Sequence, residues 1–339
     1  MRYAVSLSYD GSGFFGWQVQ AGVPSVQACL EHALSTLLGA PVCVTGAGRT
    51  DTGVHAVGYV AHFDIEDVAA PDPAVLAYKL NAILPPSVVI HSVTPASPEF
   101  HARFDASQRK YTYFLHRMKD PFVEKYSLRR DWDLDFEAMN RAAALLVGRH
   151  DFACFEKTGT DVKTSVCTVT EAYWAPYTPT HVALMGFEPA APGPRSGFEG
   201  ALPPNTPRGT RPTDIAGFAS SVPASAGRSE ERLHRIAVQN SIDRQIQPPV
   251  DPEWRYMYFR ISADRFLRNM VRAVVGTLLE VGRGKRSVDD FASLILDAGH
   301  APLPGQGRPS LRGLAGDSVP GHALFFSGAE YGGPHPANH

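Results

Sequence analysis

Apolar spacing in this chain switches between a period of two and a period near 3.6 in one order, twice over. Residues 3–9 alternate, with Tyr3, Val5, Leu7 and Tyr9 on one face and Ser6 and Ser8 on the other, which predicts a half-buried strand. Asp10-Gly11 closes it as a turn. Over 25–38, Val26, Cys29, Leu30, Ala33, Leu34, Leu37 and Leu38 recur at helical spacing. Ser25 is placed to cap that helix and Gly39 to end it. Strands follow over 42–45 and 57–63, with a Gly-rich loop, 46–55, between them. Asp72-Pro73 opens a second helix through Leu84, and 88–93 reads as a strand.

The order then recurs. It gives a strand over 110–116, a helix over 135–147, and strands over 165–174, 181–187 and 255–262. Helices over 265–279 and 287–296 and a last strand over 323–326 complete it, and Ser287 and Asp290 have the spacing of a capping box. Strand–helix–strand–strand–helix–strand, counted twice, predicts an α+β chain of two ferredoxin-like halves, divided here as 1–107 and 108–339. The halves share no sequence identity, so any repeat is one of architecture. Residues 188–250 break the pattern with ten prolines and six glycines, which predicts a disordered insertion with room for a short helix over 228–239.

Composition narrows the function classes. A net charge of −2 shows no overall basic excess, so a nucleic-acid partner would have to meet local patches of Arg and Lys. The cysteines Cys29, Cys43, Cys154 and Cys167 form no C-x-x-C pair and read as buried small hydrophobes in a reducing cytosol. No leader-like apolar segment opens the chain and no run nears 18 apolar residues, so the expected location is the cytoplasm, away from membranes. No phosphate-binding loop or dinucleotide fingerprint occurs, and no cofactor is expected.

The loop Gly46-Ala47-Gly48-Arg49-Thr50-Asp51-Thr52-Gly53-Val54-His55-Ala56 carries the chemistry. Arg49 and Asp51 can share one opening, where an arginine favours the ionised carboxylate that a nucleophile requires. From spacing alone, a structural Arg–Asp pair in a surface turn is the commoner outcome. His55 and His62 also lie nearby, but their spacing fits no helical zinc motif, so metal catalysis is not expected.

The longer string A-G-R-T-D-x-G-V-H-A resembles the active-site signature of the TruA family of pseudouridine synthases. Other blocks resemble the same family in the same order: Leu7–Gly11, Gly16-Trp17-Gln18, Ser25-Val26-Gln27, Asn81 with Leu84-Pro85, Phe100–Phe104, Arg109–Tyr113, Gly148–Phe152, Asn269–Arg272 with Val275-Gly276, and a tail near Pro320–Leu324. The resemblance implies the pseudouridine synthase fold, with the two halves sharing a mixed, mainly antiparallel sheet and a cleft between them. It implies isomerisation of uridine at positions 38 to 40 in the anticodon arm of tRNA, by a homodimer, without a cofactor. By the same match, Asp51 is the nucleophile, attacking C1′ or C6. Arg49 orients and ionises it, Tyr111 lies against the target base and assists at C5, and Arg272 reaches the aspartate or the flipped nucleotide.

Arg265, Arg268 and Arg272 fall on one face of the helix expected over 265–279, a basic face suited to phosphate. Arg103, Arg109 and Lys110 are further expected substrate contacts. For Tyr111, spacing alone favours a core aromatic. A same-family synthase acting at other tRNA positions and a catalytically silent RNA-binding homologue remain alternatives.

Overall fold

A computed structural model describes residues 1–65, 72–157, 164–185, 254–297 and 311–332. The chain divides into one compact unit, Met1–Pro189 with Val250–His339, and a second, Ala190–Pro249, outside the described residues. The expectations for 188–250, including the helix over 228–239, therefore also lie outside them.

The first strand, β1 (Arg2–Tyr9), buries Tyr3, Val5, Leu7 and Tyr9, as the alternation requires. Against that face lie two helices. Helix α1 (Val26–Leu38) buries Val26, Leu30, Ala33 and Leu34. Ser25 Oγ accepts from the Ala28 amide at its start, and Gly39 ends it in the left-handed region, at φ 69°. Helix α2 (Pro73–Ile83) begins where Asp72 accepts from the amides of Ala74 and Val75. Its Asn81 spans both backbone groups of Ile90 at 2.8 Å, fixing the helix to β4 (Val88–Pro95). Strands β2 (Val44–Gly46) and β3 (His55–Asp64) flank the Gly-rich loop.

The second half reuses the scheme. Strands β5 (Ala106–His116), β6 (Leu128–Arg129), β7 (Gly148–Asp151), β8 (Val166–Pro176), β9 (Tyr256–Ala263) and β10 (Leu296–Asp297) carry α3 (Phe136–Ala144) and α5 (Met270–Gly282), with the short α4 (Thr180–Met185) and α6 (Val288–Ala292). Asn140 of α3 grips both backbone groups of Trp174 in β8, the same device as Asn81 on Ile90. The capping box of Ser287 and Asp290 forms in full.

One sheet runs through both halves in the order β10-β7-β8-β9-β5-β11-β3-β1-β4, with β2 beside β3 and β6 beside β5. Its neighbours are antiparallel except β11 (Leu324–Tyr331) with β3 and β5 with β6. Thus β11 joins the halves, pairing Phe326 with Ala56 on one side and with Tyr111 on the other.

Four expectations need correction. Residues 180–185 are helical, because both edges of β9 are already taken by β5 and β8, so the described part of the strand expected over 181–187 is not one. The helix expected from 265 starts at Met270, since Asn269 adopts φ 65°, a conformation that breaks a right-handed helix. Arg265 and Arg268 therefore do not share a helical face with Arg272. The helix expected over 287–296 is shorter, and its last residue belongs to β10, paired with β7. Cys43 is exposed and Cys29 only half-buried, so burial holds for Cys154 and Cys167 alone.

Candidate active site

The chemistry-bearing loop leaves β2 at Gly46 and enters β3 at His55. It is fastened along its length. The Ala47 amide donates to Val60 O, the Trp17 amide to Thr50 O and the Gly53 amide to Phe14 O. Tyr59 Oη donates to Gly48 O and accepts from the Gly48 amide, and Thr50 Oγ1 meets Tyr9 Oη at 2.9 Å. Burial raises the pKa of both tyrosines, so they remain neutral hydrogen-bonding groups. Gly16, at φ 94°, lets the chain pass so close that a Cβ there would lie 2.3 Å from Thr50 O.

This mooring leaves Asp51 in a turn closed by Val54 N–H to Asp51 O at 3.1 Å, its side chain 27% exposed. Arg272 Nη1 reaches Asp51 Oδ2 at 3.3 Å. The same guanidinium donates from Nε to Val319 O at 2.7 Å, which fixes its plane. Arg272 sits in the first turn of α5, so the second half supplies the cation for a carboxylate of the first. Tyr111 lies nearby on β5, buried, with its ring edge-on to Phe266 and to Phe326. Burial and, secondarily, the charge of Asp51 push its pKa up. Burial there favours the neutral phenol.

The other expected contacts fare differently. Arg49 is exposed and, among the described residues, makes no ion pair with Asp51; Arg272 holds that position instead. Arg109 is not an open phosphate contact. Its guanidinium donates to the carbonyls of Ala47, Ala106, Asp264 and Arg103, so four of its five N–H groups are taken by backbone, and the one to Ala47 ties the catalytic loop to the second half. Lys110 is half-buried and paired with Glu330. Arg103 and Arg268 are exposed and Arg265 is half-exposed, open to a solvent-side partner.

The two histidines are committed to backbone. His55 Nδ1 accepts from the Gly11 amide, and its Nε2 donates to His322 O at 2.9 Å. His62 Nδ1 accepts from the Ala102 amide, and its pKa is pushed down to about 4 by burial, then by Arg2 and His101. Among the described residues no group of three or more His, Cys, Asp or Glu side chains is arranged to hold a metal ion. Likewise, no helix among the described residues is long and apolar enough to cross a membrane.

Residue-by-residue reasoning missed the supports: Gly16 and Tyr59 under the loop, and Val319 and Gly276 behind Arg272. Gly16, Gly276 and the 320–324 tail stood in blocks that resemble the family, a signal without a role until the close approaches were visible.

A family model described as tRNA pseudouridine synthase matches residues 5–105 and 142–303. The chain is 37% identical to tRNA pseudouridine synthase A of Porphyromonas gingivalis over 330 residues, covering 97% of each protein. It is 38% identical to the protein of the same name from Bacteroides thetaiotaomicron, covering 97% of this chain and 90% of that one. A Neisseria gonorrhoeae protein, again with that name, is 34% identical over 94% of this chain and 92% of its own length.

Proposed function

Because the chain belongs to the tRNA pseudouridine synthase family, we propose that it isomerises uridine to pseudouridine in the anticodon arm of tRNA, at positions 38, 39 and 40. The reaction breaks the C1′–N1 bond, turns the uracil, and joins C1′ to C5, while the C5 proton is lost and N1 gains one. No electrons, water or phosphate enter the balance. The observation that carries the reading is the half-exposed Asp51 carboxylate, held by Arg272 of the other half with Tyr111 close by. Asp51 is the nucleophile in this reading. Arg272 fixes its direction, Tyr111 presents a ring and a protonated hydroxyl to the base, and exposed Arg49 faces the incoming nucleotide. The uridine must leave the helical stack to reach the carboxylate. We place the activity in the cytoplasm and in a homodimer whose subunits share the tRNA. The test is to incubate the protein with an unmodified tRNA transcript and map pseudouridine. Conversion at 38 to 40 is expected, and conversion elsewhere in the tRNA would overturn the assigned positions.

RNA affinity without an overall basic charge must come from local cations. Of those named above, Arg49, Arg103 and Arg268 are exposed and Arg265 half-exposed, whereas Arg109 and Lys110 are committed. Each phosphate neutralised should contribute about −0.7 to −0.9 to the slope of log affinity against log salt. Arg268→Ala should flatten the measured slope by one such step, and Lys110→Ala should leave it unchanged. The reverse pattern would show that the cations have been misassigned.

A further inference from the structure

Residues 101–105 form a tight turn whose largest apolar group faces water. The amides of Phe104 and Asp105 donate to His101 O at 3.1 and 3.0 Å, and Asp105 Oδ2 accepts from the His101 amide at 2.8 Å. His101 Nδ1 also accepts from the amides of Arg103 and Phe104, both at 3.2 Å. The turn is thereby held from within. Phe104 is nevertheless 74% exposed. One face of its ring is backed by the His101 imidazole, with centroids 4.2 Å apart and planes 28° apart. His101 in turn leans on the buried ring of His62. The Arg103 guanidinium carbon lies 5.8 Å from the Phe104 centroid, within cation–π range.

Single exposed apolar residues are ordinary on protein surfaces and by themselves call for no ligand. This ring differs because it stands on an internally bonded turn, is backed on one face and is accompanied by an exposed cation. Exposed Phe122, by contrast, has a tilted rather than a stacked ring, that of His181, beside it. A fixed aromatic face beside a guanidinium is the composition that holds an unstacked base, whatever its identity, while the cation meets the backbone phosphate. Position supports the same ligand. Arg109 donates both to Arg103 O in this turn and to Ala47 O in the loop that carries Asp51, so one side chain sets the turn against the catalytic loop.

We propose that Phe104, backed by His101 and flanked by Arg103, is a stacking platform for an unpaired base of the RNA near the reacting uridine. The proposal rests on the reading of the chain as a tRNA-modifying enzyme. It is tested with the purified full chain and an unmodified tRNA transcript. Phe104→Ala should weaken tRNA binding by about 5- to 150-fold and leave the single-turnover rate at saturating tRNA unchanged. Phe104→Trp should keep the affinity, and its added emission should be quenched by tRNA, against a background titration of the wild type with Trp17, Trp132, Trp174 and Trp254. Wild-type affinity in Phe104→Ala, or unquenched emission in Phe104→Trp, overturns the platform. So does light scattering that shows Phe104→Ala as a monomer where the wild type is a dimer, because the ring would then belong to a subunit interface. Wild-type turnover, measured alongside, reads the assigned reaction separately, so a failed platform is not mistaken for a failed family activity.

Discussion

Asp51→Asn should bind tRNA and fold as the wild type does, yet form pseudouridine at least about 10⁴-fold more slowly, the scale of loss when an enzyme is stripped of its nucleophile. The amide matches the carboxylate in shape but carries no charge to attack with. The loop would survive the change because backbone amides, Tyr59 and Tyr9 hold it, and none of those bonds uses the Asp51 carboxylate. The remaining amide oxygen can still accept from Arg272. What is lost is the charge of a partly exposed pair, worth at most about 1 kcal/mol, so the melting temperature should stay within about 4 °C. Release of tritium from tRNA labelled at uridine C5, followed over hours, gives the rate. Near-normal formation by the asparagine variant would remove Asp51 from the mechanism.

Gly276→Ala should damage the site from a distance. Gly276 lies in the middle of α5, where alanine would ordinarily strengthen a helix by about 0.8–1 kcal/mol. Here the added Cβ would stand 1.8 Å from Asp317 O and 3.0 Å from its carbonyl carbon, both backbone atoms with no side-chain freedom to yield. The segment after Asp317 must retreat, and it carries the partners of Arg272: Val319 O accepts from its Nε, and the Val319 amide donates to its carbonyl. Overpacking of this kind costs about 1–3 kcal/mol, more than the helix gains. With Arg272 displaced by a fraction of an ångström to an ångström, kcat should fall about 10- to 100-fold with tRNA affinity nearly unchanged. Gly13→Ala, with nothing within 4 Å of its added methyl, is the control. A Gly276→Ala protein that melts higher and turns over normally would mean that α5 does not govern the position of Arg272.

Local patterns legible in the sequence include the cap of α1 by Ser25, the opening of α2 at Asp72-Pro73 and the capping box at Ser287, since each depends on residues within one turn of the chain. The basic face over 265–272 was misread because its apolar spacing continues smoothly through Asn269. Only the backbone shows that this residue turns left-handed and leaves Arg265 and Arg268 outside the helix. Residues 181–185 were misread for a different reason. A strand needs a free neighbour, and whether β9 had an edge to spare is a property of the whole sheet. In the site, the motif made Asp51 and Arg272 legible separately. Their meeting across 221 positions, and the diversion of Arg109 to four carbonyls, are consequences of pairing between halves that no local spacing encodes.

The place of β11 sets a timetable for the growing polypeptide. It follows every other strand of the described residues, yet lies between β5 and β3 in the middle of the sheet. A ribosome releases the two halves first, each with helices enough to cover one face of its own strands, but with open sheet edges where β11 will later sit. Until Leu324–Tyr331 emerges, Phe326 cannot bridge Ala56 and Tyr111, and the tail that steadies Arg272 through Val319 has only just left the tunnel. The aspartate and its arginine are thus brought into register by one late insertion. Chains shortened before β11 carry every residue of the signature loop and still lack the assembled site, so catalytic competence waits on that one insertion.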